Sequence, residues 1–155
     1  MAKKTIPARG ASRAKFGVVV AAYHQAITLR LLKACLDEFA RHGVGSSDVQ
    51  VVEVPGAFEL PLTALKLAQK KDIKAVICLG VVVKGQTLHY ELVAFEAARG
   101  IMDVALRTGK PVIFEVLAAD TIRLCEVRAQ EGDRDNKGAS AARAALHMSG
   151  VLSGL

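Results

Sequence analysis

Four short apolar runs, each followed by a segment of helical period, constrain this chain more than any other property. The runs are Lys15–Ala22, Val49–Val54, Lys74–Leu79 and Val112–Leu117. Within them apolar residues follow one another instead of alternating with polar ones, the pattern of strands buried on both faces of a parallel sheet. Between them lie helical patterns: from near Ala26 to a glycine stop at His42-Gly43, over about 61–71, over 89–108, and from Asp120 or Thr121 to about Gln130. A last helix, capped by Asn136, runs to about Ser149. Four strand-helix units and one extra helix predict an α/β protein: three α/β/α layers around a four-stranded parallel sheet, with right-handed crossovers and flavodoxin-like topology.

Ligands of such sheets bind beyond the carboxyl ends of the strands. The loops placed there are Tyr23-His24, Val54 to Glu59, Gly80 to His89, and Phe114 to Ala119. The third is the richest. It joins the most strand-like run to a long helical pattern, in which Leu92, Val93, Phe95 or Glu96, Ala97, Gly100, Ile101, Val104 and Ala105 recur at three- and four-residue spacing. A helix amino terminus leaves backbone N–H groups unpaired and carries partial positive charge, so it favours an anion. Gly85 lets the backbone come close, Thr87 offers a hydroxyl to the helix or to a phosphate oxygen, and Lys84 adds a full charge. His89, in the first turn, is placed to accept a proton as a neutral imidazole. Taken alone, each of these has an ordinary structural role: turn, cap, surface histidine. The same holds for Tyr23, Phe58 and Phe114, which singly read as packing residues and together favour stacking on a planar ring. Arg128 and Lys137 flank a polar break, Glu131–Asp135, and read singly as solvent-facing charges.

Composition bounds the function. At 155 residues and 52% apolar content the chain fits one domain with a real core. Residues 1–14 read as a basic, disordered tail and 15–155 as the folded domain. The net charge of +6 is concentrated at the amino end: residues 1–15 hold Lys3, Lys4, Arg9, Arg13 and Lys15 and no acid, leaving 16 basic against 15 acidic residues in the remainder. Nucleic-acid binding is therefore not expected. Neither a membrane span nor a signal peptide is expected, and the reading is of a cytoplasmic protein. Cys35, Cys78 and Cys125 are odd in number and far apart, so they read as reduced packing residues without disulfide or metal spacing.

Several stretches, taken in order, resemble the lumazine synthase family, which makes 6,7-dimethyl-8-ribityllumazine in the penultimate step of riboflavin biosynthesis. They are Val54–Pro61, Leu79–Tyr90, Pro111–Phe114 with Val116-Leu117, Arg128-Ala129, and Asn136–Ala139. The resemblance covers about residues 15–152. It implies condensation of 5-amino-6-(D-ribitylamino)uracil with 3,4-dihydroxy-2-butanone 4-phosphate, releasing phosphate and water, with no cofactor and no metal. It also implies roles: Tyr23 stacking on the pyrimidine; Phe58 and Glu59 holding the ribityl chain; Val81, Val82 and Val83 as backbone contacts to the pyrimidine. Gln86 and Thr87 match the phosphate cradle and His89 the proton-transfer residue. Phe114, Arg128 and Lys137 match groups supplied by the adjacent subunit, so the resemblance implies a homo-oligomer with shared sites. Riboflavin synthase is a further candidate partner.

Three features depart from the family pattern. His24 stands where asparagine is usual, Glu115 where glycine is common, and the interval from Arg128 to Lys137 is one residue longer than in many shell-forming members. The longer interval favours a pentamer over a sixty-subunit shell. Two competing readings are a flavin- or lumazine-binding relative or shell-forming structural protein that keeps the fold without turnover, which His24 and Glu115 leave open and Lys84, Thr87, His89, Arg128 and Lys137 argue against, and a flavodoxin-like electron carrier. The carrier would place its phosphate loop after the first strand, where Ala21–Gln25 lacks the hydroxyls and glycines such a loop uses.

Overall fold

The computed structural model describes residues 15–155; the amino-terminal stretch assigned to a basic tail lies outside them. The strands are β1 Phe16–Ala21, β2 Val49–Val54, β3 Ala75–Val83 and β4 Val112–Ala119. They form one parallel sheet in the order β2-β1-β3-β4. The helices are α1 Gln25–Arg41, α2 Leu60–Ala68, α3 His89–Thr108, α4 Ile122–Arg128 and α5 Lys137–Ser153. Because β2 lies on one side of β1 and β3 on the other, the connections reverse direction between β1 and β3. That reversal opens the crevice in which such sheets take ligands.

The continuous apolar runs are explained by the two cores they feed. Val18, Val20, Ile77 and Leu79 point to one face, where Ile27, Leu31, Cys35 and Phe39 of α1 meet Ala141, Ala142 and Ala145 of α5. Val19, Val76 and Cys78 point to the other, against Leu60, Ala64 and Leu67 of α2 and Ala97, Ile101 and Val104 of α3. All three cysteines are buried and free. Burial without a compensating charge pushes the Cys35 thiol up to about 12, so it packs as a small apolar group.

Most element boundaries agree with the sequence, and the exceptions have local causes. The third strand was expected to stop at Leu79, yet it continues to Val83 because Val81, Val82 and Val83 pair with Leu117, Ala118 and Ala119. β-branched residues suit a strand once a partner is available. For the same reason Phe114 to Ala119 is strand, not loop. α2 ends at Ala68, before Lys70-Lys71-Asp72, so that the chain can turn and drop Ile73, 1% exposed, into the core. α5 continues past Ser149, whose hydroxyl bonds the Ala145 carbonyl at 2.7 Å and so stays within the helix. The expected glycine stops are present, Gly43 at φ 80 and Gly109 at φ 66, both left-handed.

α1 and α5 approach so closely that only glycine fits at one point. A Cβ added at Gly138 would lie 1.9 Å from the Leu31 carbonyl oxygen. Asn136 fixes the same junction: its Oδ1 accepts from the Gly138 N–H at 2.8 Å and its Nδ2 donates to the Gln130 carbonyl at 3.0 Å. Further along, the buried Glu38 carboxylate accepts from Arg41 at 2.8 Å and pairs with Arg143 of α5 at 3.1 Å. Burial alone would raise that carboxyl, but the two guanidiniums outweigh it and hold it below its ordinary value.

α3 departs most from expectation. Its apolar positions form two stripes, and only Ala97, Ile101 and Val104 are fully buried. The other stripe, Leu88, Leu92, Phe95, Met102 and Leu106, is exposed, from 60% at Met102 to 76% at Leu106. Among the described residues no helix is long and apolar enough to cross a membrane. Substituting Gly138→Ala is expected to lower stability by about 3 kcal/mol or more, because backbone must move to admit the methyl. Gly150→Ala in the same helix, where a Cβ meets nothing within 4 Å, is expected to be neutral or stabilising by up to about 1 kcal/mol. Thermal denaturation of the two variants checks the contrast.

Candidate active site

At the carboxyl end of the sheet the first two loops are joined by backbone bonds. The Ala22 N–H donates to the Val54 carbonyl at 2.7 Å and the Tyr23 N–H to the Pro55 carbonyl at 3.0 Å. Tyr23 is 69% exposed there. After Pro55-Gly56 the chain makes a short 3-10 turn, Ala57–Glu59, which buries Ala57 and leaves Phe58 59% exposed. This turn packs against α3. Leu60, which follows the turn, packs over Gly80 of β3, where a Cβ would stand 3.2 Å from Leu60 Cδ1.

From β3 the ladder carries on one residue, with the Lys84 N–H donating to the Ala119 carbonyl at 2.9 Å. Residues 84–89 are exposed. Gly85 is not in the left-handed region, and a Cβ there would meet nothing within 4 Å. Neither the turn nor the packing of this chain demands glycine, so what its missing side chain leaves is open space at the foot of α3. Thr87 Oγ1 accepts from the His89 N–H at 3.3 Å, one lone pair on the helix and one left over. His89 is the first residue of α3, as expected from the sequence. The Lys84 ammonium stands 4.0 Å from the Asp120 carboxylate, a long and exposed pairing of small energetic weight. Of the two caps the sequence offers for α4, Thr121 holds the cap position, without a side-chain hydrogen bond, and Asp120 faces that lysine.

Val81 and Val82 are buried, their side chains committed to opposite cores. Only their backbone can meet a ligand. Tyr23, Phe58, Glu59, Val83, Gln86, Thr87 and His89 stand at or just beyond the carboxyl ends of β1, β2 and β3, three adjacent strands of the sheet. Phe114, Arg128 and Lys137 do not join them in this way. Phe114 pairs with Cys78, five positions before the end of β4, and points outward from that edge strand with 43% exposure. Arg128 closes α4, its guanidinium donating to the Leu124 carbonyl at 2.8 Å. Lys137 opens α5.

Glu115 lies next to Phe114 but on the opposite face of β4, toward α5. Burial raises its carboxyl to about 7, and the Lys137 charge opposes that rise. Among the described residues no group of three or more histidine, cysteine or acidic side chains could hold a metal. Sequence reading missed two features here. One is the Lys84–Asp120 pairing, for which spacing gave no signal. The other is the backbone of His24, at φ 57 and ψ 46 the one non-glycine left-handed residue among those described.

A carboxyl raised on folding favours the folded state fully below about pH 4.5, and that advantage is lost as pH rises through 7. Glu115→Gln is therefore expected to leave the melting temperature unchanged at pH 4.5 and to raise it at pH 8, by a stability gain of about 1–3 kcal/mol. Melting curves of the two chains across that range check it.

A family model described as 6,7-dimethyl-8-ribityllumazine synthase matches residues 13–153, which takes in every strand and helix and all the residues gathered at the crevice. The chain belongs to the 6,7-dimethyl-8-ribityllumazine synthase family.

Proposed function

We propose that residues 15–155 form a single catalytic domain that condenses 5-amino-6-(D-ribitylamino)uracil with 3,4-dihydroxy-2-butanone 4-phosphate in the cytoplasm. Family membership already carries the coarser statement: a transferase of riboflavin biosynthesis that takes small-molecule substrates and works as an oligomer. One observation carries the finer reading, the open space at Gly85 in front of the α3 amino terminus, flanked by Thr87 and His89. A phosphate seated there would meet unpaired helix N–H groups, the free lone pair of Thr87 and the positive end of a 20-residue helix.

The pyrimidine would lie in the β1–β3 crevice with its ring on Tyr23 and its edge on the backbone of Val81, Val82 and Val83. Phe58 and Glu59 would take the ribityl chain, and Gln86 and Thr87 the phosphate. In this reading the ring amine attacks the ketone carbon, its proton passes to His89, and His89 returns a proton as the carbinol loses water to form the imine. A second proton transfer accompanies departure of phosphate, whose charge is stabilised by Thr87, the helix amides and a guanidinium. Holding two partners in register supplies much of the acceleration, so His89 assists a reaction that positioning already favours.

That guanidinium is Arg128 of a neighbouring protomer, with Phe114 and Lys137 from the same neighbour closing the site. The outward face of Phe114 on an edge strand and the exposed ends of α4 and α5 support donation to another chain over use at home. The uncovered α3 stripe supports extensive self-association, since soluble chains seldom leave so much contiguous apolar surface in water. The nine-residue step from Arg128 to Lys137 favours a pentamer over a sixty-subunit shell.

Arg128→Ala is expected to raise KM for the phosphorylated ketone and lower kcat, together about 100-fold in kcat/KM, while His89→Ala keeps measurable turnover. Steady-state formation of the lumazine chromophore reads both, and an Arg128→Ala enzyme with unchanged constants would overturn the phosphate assignment. Light scattering is expected to give the mass of five 16.4 kDa chains, about 82 kDa; a particle near a megadalton would exclude the pentamer.

A further inference from the structure

We propose that His24 is a positioning residue that fixes the Tyr23 ring as the platform for the planar substrate, an inference that rests on the crevice being the pyrimidine site. His24 occupies the left-handed region at φ 57, ψ 46, where side chains other than glycine are strained and asparagine, aspartate and histidine are the tolerated exceptions. It cannot leave that conformation cheaply. Its carbonyl accepts the Ile27 N–H at 2.9 Å and the Thr28 N–H at 3.1 Å, so the first turn of α1 is built on it. The left-handed turn also brings its imidazole edge-on to Tyr23, with ring centroids 4.5 Å apart and planes at 67°.

Edge-to-face geometry matches the electron-poor rim of one ring to the electron-rich face of the other. For Tyr23 the consequence is orientational. Its backbone is pinned by the Pro55 carbonyl at 3.0 Å, but its side chain is 69% exposed and, among the described residues, no hydrogen bond of its hydroxyl holds it. Among the described residues His24 supplies its only ring contact. A stacking platform that must rotate into place costs affinity, whereas one already held does not. Backbone tolerance alone would be met by asparagine or glycine. Only an aromatic residue in the same turn also holds the ring.

This separation makes the test sharp. The chain has no tryptophan and two tyrosines, Tyr23 and Tyr90, so in a Tyr90→Phe background the tyrosine emission reports Tyr23 alone. His24→Asn and His24→Gly both keep the left-handed backbone and remove the ring. Each is expected to lower the emission anisotropy of Tyr23 and to leave the melting temperature near that of the parent. Each is also expected to raise KM for the ribitylaminouracil roughly three- to tenfold with little change in KM for the phosphorylated ketone. Anisotropy and pyrimidine KM equal to the parent's in both variants would overturn the proposal and leave His24 as a backbone residue only. A rise in both KM values together with a lower melting temperature would overturn it too, as general loosening of the loop. If the parent forms no lumazine from the two substrates, the functional reading fails instead. The anisotropy comparison then still decides whether His24 holds Tyr23.

Discussion

The parallel ladder between β1 and β3 is the constraint on which the molecule depends. It places side by side two strands that are distant in the chain, and it does so at the point where the connections change direction. Most of the candidate site owes its position to that pairing: Tyr23 and His24 leave one strand and Val81 to His89 the other, while Phe58 and Glu59 follow β2 on the far side of β1. The residues that make the pairing possible are plain apolar ones, Val18, Val20, Ile77 and Leu79 on one face and Val19 and Cys78 on the other. Their burial is non-directional, so it stabilises the sheet without specifying chemistry. Chemistry enters only where the strands run out and the backbone is again free to meet something else.

Two kinds of helix terminus serve two purposes. At α5 the Asn136 side chain takes the Gly138 N–H, and the close approach of Gly138 to the Leu31 carbonyl locks that turn against α1. At α3, among the described residues, the first turn has only the Thr87 hydroxyl as a side-chain partner, and a Cβ at Gly85 beside it would meet nothing within 4 Å. The same backbone physics yields a structural joint in one place and a candidate anion site in the other. The difference lies in which side chains precede the helix and in what packs over it.

Much of this was legible in the sequence because the signals were local. Unbroken valine and isoleucine runs marked the strands, glycines marked the ends of α1 and α3, and Thr87 two residues before His89 marked a helix start. What was not legible depended on partners distant in sequence. β3 runs to Val83 only because β4 offers Ala118 and Ala119 beside it, and Phe114 falls mid-strand for the same reason. The spacing on α3 could not separate a core stripe from an exposed one, since both satisfy the helical period. The left-handed turn at His24 left no mark in composition, and the electrostatic tie between Glu115 and Lys137 joins residues 22 positions apart on different elements.

The outward stripe of α3 has a bearing on the life of the newly made chain. While a protomer is alone, Leu88, Leu92, Phe95, Met102 and Leu106 remain wetted. Each such side chain forgoes about 1.5–3 kcal/mol that cover would return. Synthesis rate and local abundance thus weigh on how long a single copy persists unattended, and with it on the chance of clumping before an orderly contact is found.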